Sequence, residues 1–178
     1  MEDKIQNHLK KNLIENKKVL GCWTSLDNEI TSELLALVGF DFLLIDHEHG
    51  YGDARGITRQ LQSLKETECS ALVRMPKDDE VYVKKALDTG VNSIMFPAVK
   101  NKKEAKNIVE MCRYAPLGYR GVAPGMIRAT KFGLNMKNYF ENIEKDLLIV
   151  CQIETEEGVS NIQEIADVGG VDMLFIGP

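Results

Sequence analysis

The 178-residue sequence lacks any apolar run that could cross a bilayer. The longest, Leu34 to Phe40, falls well short of the roughly 20 residues a spanning helix needs. The amino terminus, Met-Glu-Asp-Lys, begins no apolar stretch of signal-peptide length, so a cytoplasmic protein without a membrane partner is expected. Cysteine is scarce. Cys22, Cys69, Cys112 and Cys151 form no C-x-x-C pair and match no zinc-module spacing, so in a reducing compartment they read as core thiols. Basic charge is not in excess: 22 Lys and Arg against 27 Asp and Glu leave a net charge of −5. No basic stripe is long enough to neutralise a phosphate backbone, which argues against nucleic acid as a partner. P-loop, G-x-G-x-x-G and G-x-S-x-G patterns are all missing.

What is present is an ordinary globular composition, 44% hydrophobic and 28% charged, at a length that suits one domain over residues 1–178, with residues 1–18 as a helical, charged lead-in. Short apolar or β-branched runs stand at Val19–Trp23, Phe40–Asp46, Ala71–Arg74, Ser93–Phe96, Leu147–Ile153 and Met173–Ile176, and read as buried strands. Between them lie segments of helical period, such as Glu33–Val38, Ile57–Leu64 and Val81–Leu87. Asp53 and the Lys77-Asp78-Asp79 run supply helix starts, and Gly90 supplies a helix end. A fourth helix over Lys102–Met111 is followed by about thirty residues of insertion, Gly- and Pro-rich at first and amphipathic around Met136–Ile143. Apolar strands alternating with amphipathic helices predict a parallel sheet covered by helices.

Two architectures satisfy that pattern, an open doubly wound sheet and a (β/α)8 TIM barrel, and periodicity does not separate them. The sequence stops at Gly177-Pro178 directly after a strand, whereas a complete barrel takes about 250 residues. The expectation is therefore a barrel truncated after its sixth strand.

In either architecture the active site gathers where parallel strands end. The strand exits carry Trp23; Asp46, His47, Glu48 and His49; Arg74; Pro97; Gln152 and Glu154; and Gly177-Pro178. Taken one at a time, an acid or histidine here is a loop cap and an arginine is an ion-pair partner. Taken together they suit chemistry. Gln152 and Glu154 share one strand face; a carboxylate there is costly unless paired or bound to a cation, and its hard oxygens suit Mg2+ or Mn2+. Arg74 offers a planar fork for a carboxylate or an enolate oxygen, and a histidine offers a general base near neutrality. His47 and His49 form an H-x-H pair, but with His8 the only other histidine a zinc centre is hard to assemble.

The ordered series Gly21-Cys22-Trp23, Asp46-x-Glu48-His49, Val73-Arg74, Leu87-Asp88-x-Gly90, Arg113-Tyr114-x-Pro116-x-Gly118-x-Arg120-Gly121, Gln152-Ile153-Glu154 and Phe175-Ile176-Gly177-Pro178 resembles the HpcH/HpaI aldolase family over residues 19–178. The resemblance implies a (β/α)8 barrel enzyme, a class II aldehyde-lyase that cleaves a 2-oxo-4-hydroxy acid to pyruvate and an aldehyde. It implies a divalent metal (Mg2+ or Mn2+, or Co2+), a small 2-oxo acid and an aldehyde as ligands, and a homo-oligomer. By the same resemblance His49 is the base, Arg74 stabilises the enolate, Asp88 raises the basicity of the histidine, Gln152 contacts substrate and Glu154 binds metal.

Two departures accompany it. His47 stands where a small residue is usual, and the second metal carboxylate falls beyond Pro178, so the chain by itself is expected to be inactive; the unpaired edges of its first and sixth strands are expected to make it self-associate. Topology puts Asp88 at the far end of its helix, which leaves Asp46 as a local alternative partner for His49. Two other readings stand beside the aldolase: a CoA-thioester carbon–carbon lyase of the citrate-lyase-beta type, with Lys100, Lys102, Lys103 and Lys106 near the phosphates, and a non-catalytic fragment that acts only in assembly.

Overall fold

The structure is a computed structural model that describes residues 5–178. Six strands, β1 (Gly21–Thr24), β2 (Phe42–Asp46), β3 (Ser70–Arg74), β4 (Ser93–Phe96), β5 (Leu148–Ile153) and β6 (Met173–Ile176), form one sheet in the spatial order of the sequence. Every neighbouring pair is parallel. A doubly wound sheet reverses its strand order at a switch point. This one never does, so the fold is the curved wall of a (β/α) barrel. Starts differ by a residue or two from the sequence reading: Val19, Leu20, Phe40 and Leu147 lie outside the ladder, while Ser70 and Thr24 join it. Apolar runs extend past the hydrogen-bonded register because hydrophobicity marks burial, and burial does not stop where pairing does.

The sheet separates two apolar layers. Leu43, Ile45, Val73, Ile94, Phe96, Ile149, Cys151 and Ile153 face outward against the helices. Leu44, Leu72, Met95, Leu148 and Val150, with Phe42, Met173 and Phe175 beside them, face the concave side. The outer layer is sealed by α2 (Glu29–Val38), α3 (Ala54–Ser63), α4 (Glu80–Asp88) and α5 (Lys102–Cys112). Asp53 caps α3 by accepting from Arg55 and Gly56, Asp79 caps α4 by accepting from Tyr82, and Gly90 after α4 takes φ +97°. The insertion after α5 holds a 3₁₀ turn (Arg128–Thr130) and α6 (Met136–Asp146), and two short helices, α7 (Glu156–Ser160) and α8 (Ile162–Ala166), connect β5 to β6.

The lead-in is more than a charged segment. Helix α1 (His8–Ile14) plugs the lower end of the concave side, with Leu9 buried and the Asn7 amide donating to Ser93 Oγ and to the Asn92 and Asp146 carbonyls. The first four residues of that lead-in lie outside the described residues. Cys112 and Cys151 are buried, while Cys22 and Cys69 are only partly so, and all four are free thiols. Burial pushes Cys69 up to about 11 and Cys151 up to about 12. Ile30, Leu34, Leu37 and Val38 leave an exposed apolar stripe on α2. Among the described residues, no helix is long and apolar enough to cross a membrane.

Candidate active site

The upper ends of β2 and β3 are joined by charge. Asp46 and Arg74 are register partners, and both side chains point to the concave side in line with Leu44 and Leu72. The guanidinium donates through Nε to Asp46 Oδ1 (2.9 Å) and through Nη2 to Asp46 Oδ2 (2.8 Å), a fork on a carboxylate. Its Nη1 lies 2.8 Å from Glu48 Oε2, an ion pair off the hydrogen-bonding line, and its plane sits 4.5 Å over the Trp23 ring. Both partners of the main pair are buried. Burial raises the Asp46 carboxyl, but the Arg74 bonds and the backbone N–H groups of His49 and Glu48 outweigh it, so the group titrates below the usual carboxylate range. The ion-pair reading of Arg74 is therefore correct as far as it goes, and N–H capacity remains on Nη1 and Nη2 for a further oxygen.

Asp46 also shapes the loop above it. Its Oδ1 accepts from the amides of Glu48 (3.0 Å) and His49 (3.3 Å), a local turn that turns the chain outward. The two histidines separate here. His49 is three-quarters exposed at the mouth, with Nε2 3.9 Å from Glu48 Oε1. His47 is buried and bonded through Nδ1 to Tyr82 Oη, so the sequence-based convergence of both histidines at the mouth holds only for His49.

At the exit of β5, Gln152 Nε2 donates to Glu154 Oε2, and the Ala98 amide donates to Glu154 Oε1 at 2.7 Å. Ala98 adopts a left-handed φ of +52° to make that contact. Gln152 is buried, and its Oε1 has no hydrogen-bond partner. Gly177 closes over the pair; a Cβ there would stand 2.7 Å from Gln152 Nε2 and 3.0 Å from Glu154 Oε2. A carboxylate, an orphaned amide oxygen and a space that only glycine leaves suit a hard divalent cation in kind. Among the described residues no group of three or more His, Cys, Asp or Glu side chains is arranged to hold a metal, so the donors fit in type and supply part of a ligand set.

Asp88 is elsewhere. It ends α4 and pairs with Arg120 Nη2 at 2.7 Å; Arg120, stacked 4.5 Å over Tyr114 and bonded to Tyr139, ties the insertion to α4. Burial opposes the Arg120 charge, but Tyr139, Tyr114 and Asp88 more than restore it. The partner recorded next to His49 is Glu48, beside the Asp46 turn. Lys100, Lys102, Lys103 and Lys106 are exposed, and Lys106 pairs with Glu110 on its own helix. Ala98 and Tyr82 act here without a signal in the sequence, because each works through a neighbour that only folding supplies, whereas Trp23 is visible there as a strand exit but not as the ring beneath Arg74.

A model of the HpcH/HpaI aldolase/citrate lyase family matches residues 19–178. The chain belongs to that family. Among its relatives is the 5-keto-4-deoxy-D-glucarate aldolase of Escherichia coli O139:H28 (strain E24377A / ETEC), 39% identical over 176 residues, which covers 99% of this chain and 68% of the relative. Among solved structures, an HpcH/HpaI aldolase/citrate lyase family protein from Burkholderia cenocepacia J2315 superposes with a TM-score of 0.92 at 35% identity, over 97% of this chain and 69% of that one. The citrate synthase SbnG superposes with a TM-score of 0.81 at 27% identity, over 97% and 66%. Membership supports carbon–carbon lyase chemistry for this HpcH/HpaI chain.

Proposed function

We propose that this chain carries the enolate-forming site of a class II aldolase, which splits a 2-oxo-4-hydroxy acid into pyruvate and an aldehyde. The observation that carries the reading is buried Gln152, whose amide nitrogen holds Glu154 while its oxygen has no partner, on the same concave face of the sheet as the Arg74 guanidinium. Glu154 and Gln152 would hold a divalent cation, Mg2+ or Mn2+, which when bound supplies positive charge to the carboxylate and 2-oxo oxygens of the substrate. His49, exposed at the mouth, takes the proton from the 4-hydroxyl. The C3–C4 bond then breaks, the aldehyde departs, and the electron pair moves onto the 2-oxo oxygen as pyruvate enolate. Arg74 steadies that oxygen with the N–H groups that Asp46 and Glu48 leave free, and His49 passes the proton it took to C3, which gives pyruvate and returns the base to its neutral form. Asp46 holds both partners, the guanidinium through its fork and the His49 amide through its turn. Asp88 acts on this site only by way of the insertion that Arg120 anchors, or from a second copy of the chain, since we also propose a homo-oligomer in a cytoplasmic setting.

The test is the half-reaction that His49, Arg74 and the Gln152–Glu154 pair would carry between them. With Mn2+ in D2O, the protein should exchange the methyl protons of pyruvate, as followed by proton NMR, and a chelator or His49→Ala should stop it. Exchange that survives the chelator, or a borohydride-trapped Schiff base, would overturn the class II reading.

A further inference from the structure

The loop that presents His49 is folded around a second imidazole. His47 leaves β2 one residue after Asp46, and its amide donates to the Arg74 carbonyl at 3.0 Å, which turns its ring away from the concave mouth. The ring is buried. Nδ1 lies 2.7 Å from the Tyr82 hydroxyl of α4, and the two rings meet edge-on at 6.1 Å. Nε2 is buried, has no partner and faces Gly52; a Cβ on Gly52 would collide with that nitrogen. Gly50 is equally constrained, because a Cβ there would strike the Asp46 and Ser25 carbonyls. The segment from Asp46 to Gly52 therefore closes on the imidazole at one end and on α4 through Tyr82 at the other. None of these contacts reaches substrate, yet His49 stands on the same loop.

We propose that His47 is a positioning residue, a neutral imidazole that locks the His49 loop to α4 through Tyr82 and releases it on protonation. The inference rests on the proposed role of His49, and it can be tested apart from that role. The neutral ring needs one partner, and Tyr82 provides it. With Nδ1–H donating, Nε2 is left as a bare lone pair, whereas a protonated ring would bury an N–H with nothing to accept it. Burial holds the His47 ring below the ordinary histidine range, against the opposing pull of Asp27 in the β1–α2 loop, Asp46 at the end of β2 and Asp53 at the cap of α3. Asp27 is itself engaged by Arg59 and Gln60, and Asp53 by the α3 amides. Order in the loop is thus kept at neutral pH and lost as pH falls through that depressed value.

The chain has three histidines, His8, His47 and His49, so ring-nitrogen NMR on the full chain can follow each one. His47 is expected to remain neutral, in one tautomer, through the ordinary histidine range. Tyr82→Phe should abolish the fixed tautomer and speed amide exchange of Glu48–Gly52 about five-fold, the effect of one neutral hydrogen bond. His47→Gln, which can still bond Tyr82, should restore protection that His47→Ala loses. A His47 ring that gains its proton within the ordinary histidine range, or loop exchange unchanged in Tyr82→Phe, would overturn the proposal. Absence of pyruvate exchange in the parent protein would count against the His49 role alone, because the ring and amide signals read His47 without it.

Discussion

The exits of β2 and β3 and the exit of β5 solve opposite problems with similar residues. At β2 and β3 every charge has a partner inside the chain: Arg74 with Asp46, Glu48 and Trp23, and Asp46 with two backbone amides as well. At β5 the carboxylate of Glu154 is held by Ala98 and Gln152, but the Gln152 oxygen is buried with nothing to bind. A closed network fixes geometry, and an open one waits for a ligand. The difference explains how one mouth can be both rigid enough to orient a guanidinium and receptive enough to accept a cation.

Breaking the closed side should cost most. Arg74→Met leaves Asp46 buried without its cation and is expected to lower unfolding stability by about 3–5 kcal/mol in urea titrations. Acid tests the same pair. Because the folded Asp46 carboxyl is depressed, its contribution is present above the ordinary carboxylate value and disappears as pH falls through the lower folded value. The parent should therefore lose stability over that acid window, and Arg74→Met should lose less. An equal pH slope in both would mean that the backbone amides alone hold Asp46.

The open side should respond differently. Gln152→Leu removes a buried amide whose oxygen was never satisfied, so stability should change by less than about 1 kcal/mol while Mn2+ binding, read by water-proton relaxation, weakens. A loss as large as that of Arg74→Met would erase the distinction between the two exits. The smallest effect is expected at Ala98, whose φ of +52° brings its amide to Glu154. Glycine there removes about 1–2 kcal/mol of left-handed strain and adds back about 0.5–1 kcal/mol of chain entropy. Ala98→Gly should accordingly raise stability by about 0.5 kcal/mol, and a decrease would show that the methyl group packs favourably.

Much of this was legible before folding. The six strands follow from apolar runs, and the helix starts at Asp53 and Asp79 from capping chemistry, because both signals are local and need no distant partner. Candidate residues could be found at strand exits for the same reason: topology alone brings the ends of parallel strands together. What was not legible depended on contacts far apart in sequence. His47 and His49 are two residues apart and equivalent on paper, but Tyr82, 35 positions away from His47, draws one ring into the protein and leaves the other in solvent. Asp88 is drawn to Arg120 by an insertion whose path no periodicity encodes.

The sequence by itself determined the alternation of strand and helix, the chemistry available at each strand exit and the family to which the chain belongs. Hydrophobic period alone could not separate two α/β architectures; length and the family resemblance pointed to the barrel, and the strand order, a property of pairing that only the tertiary structure holds, shows it. The tertiary structure alone decided which polar groups are satisfied within the chain and which remain open. Desolvation makes that distinction physical: a buried charge finds a partner wherever the fold brings one within about 3 Å, and the polar atom left over marks the place for a ligand.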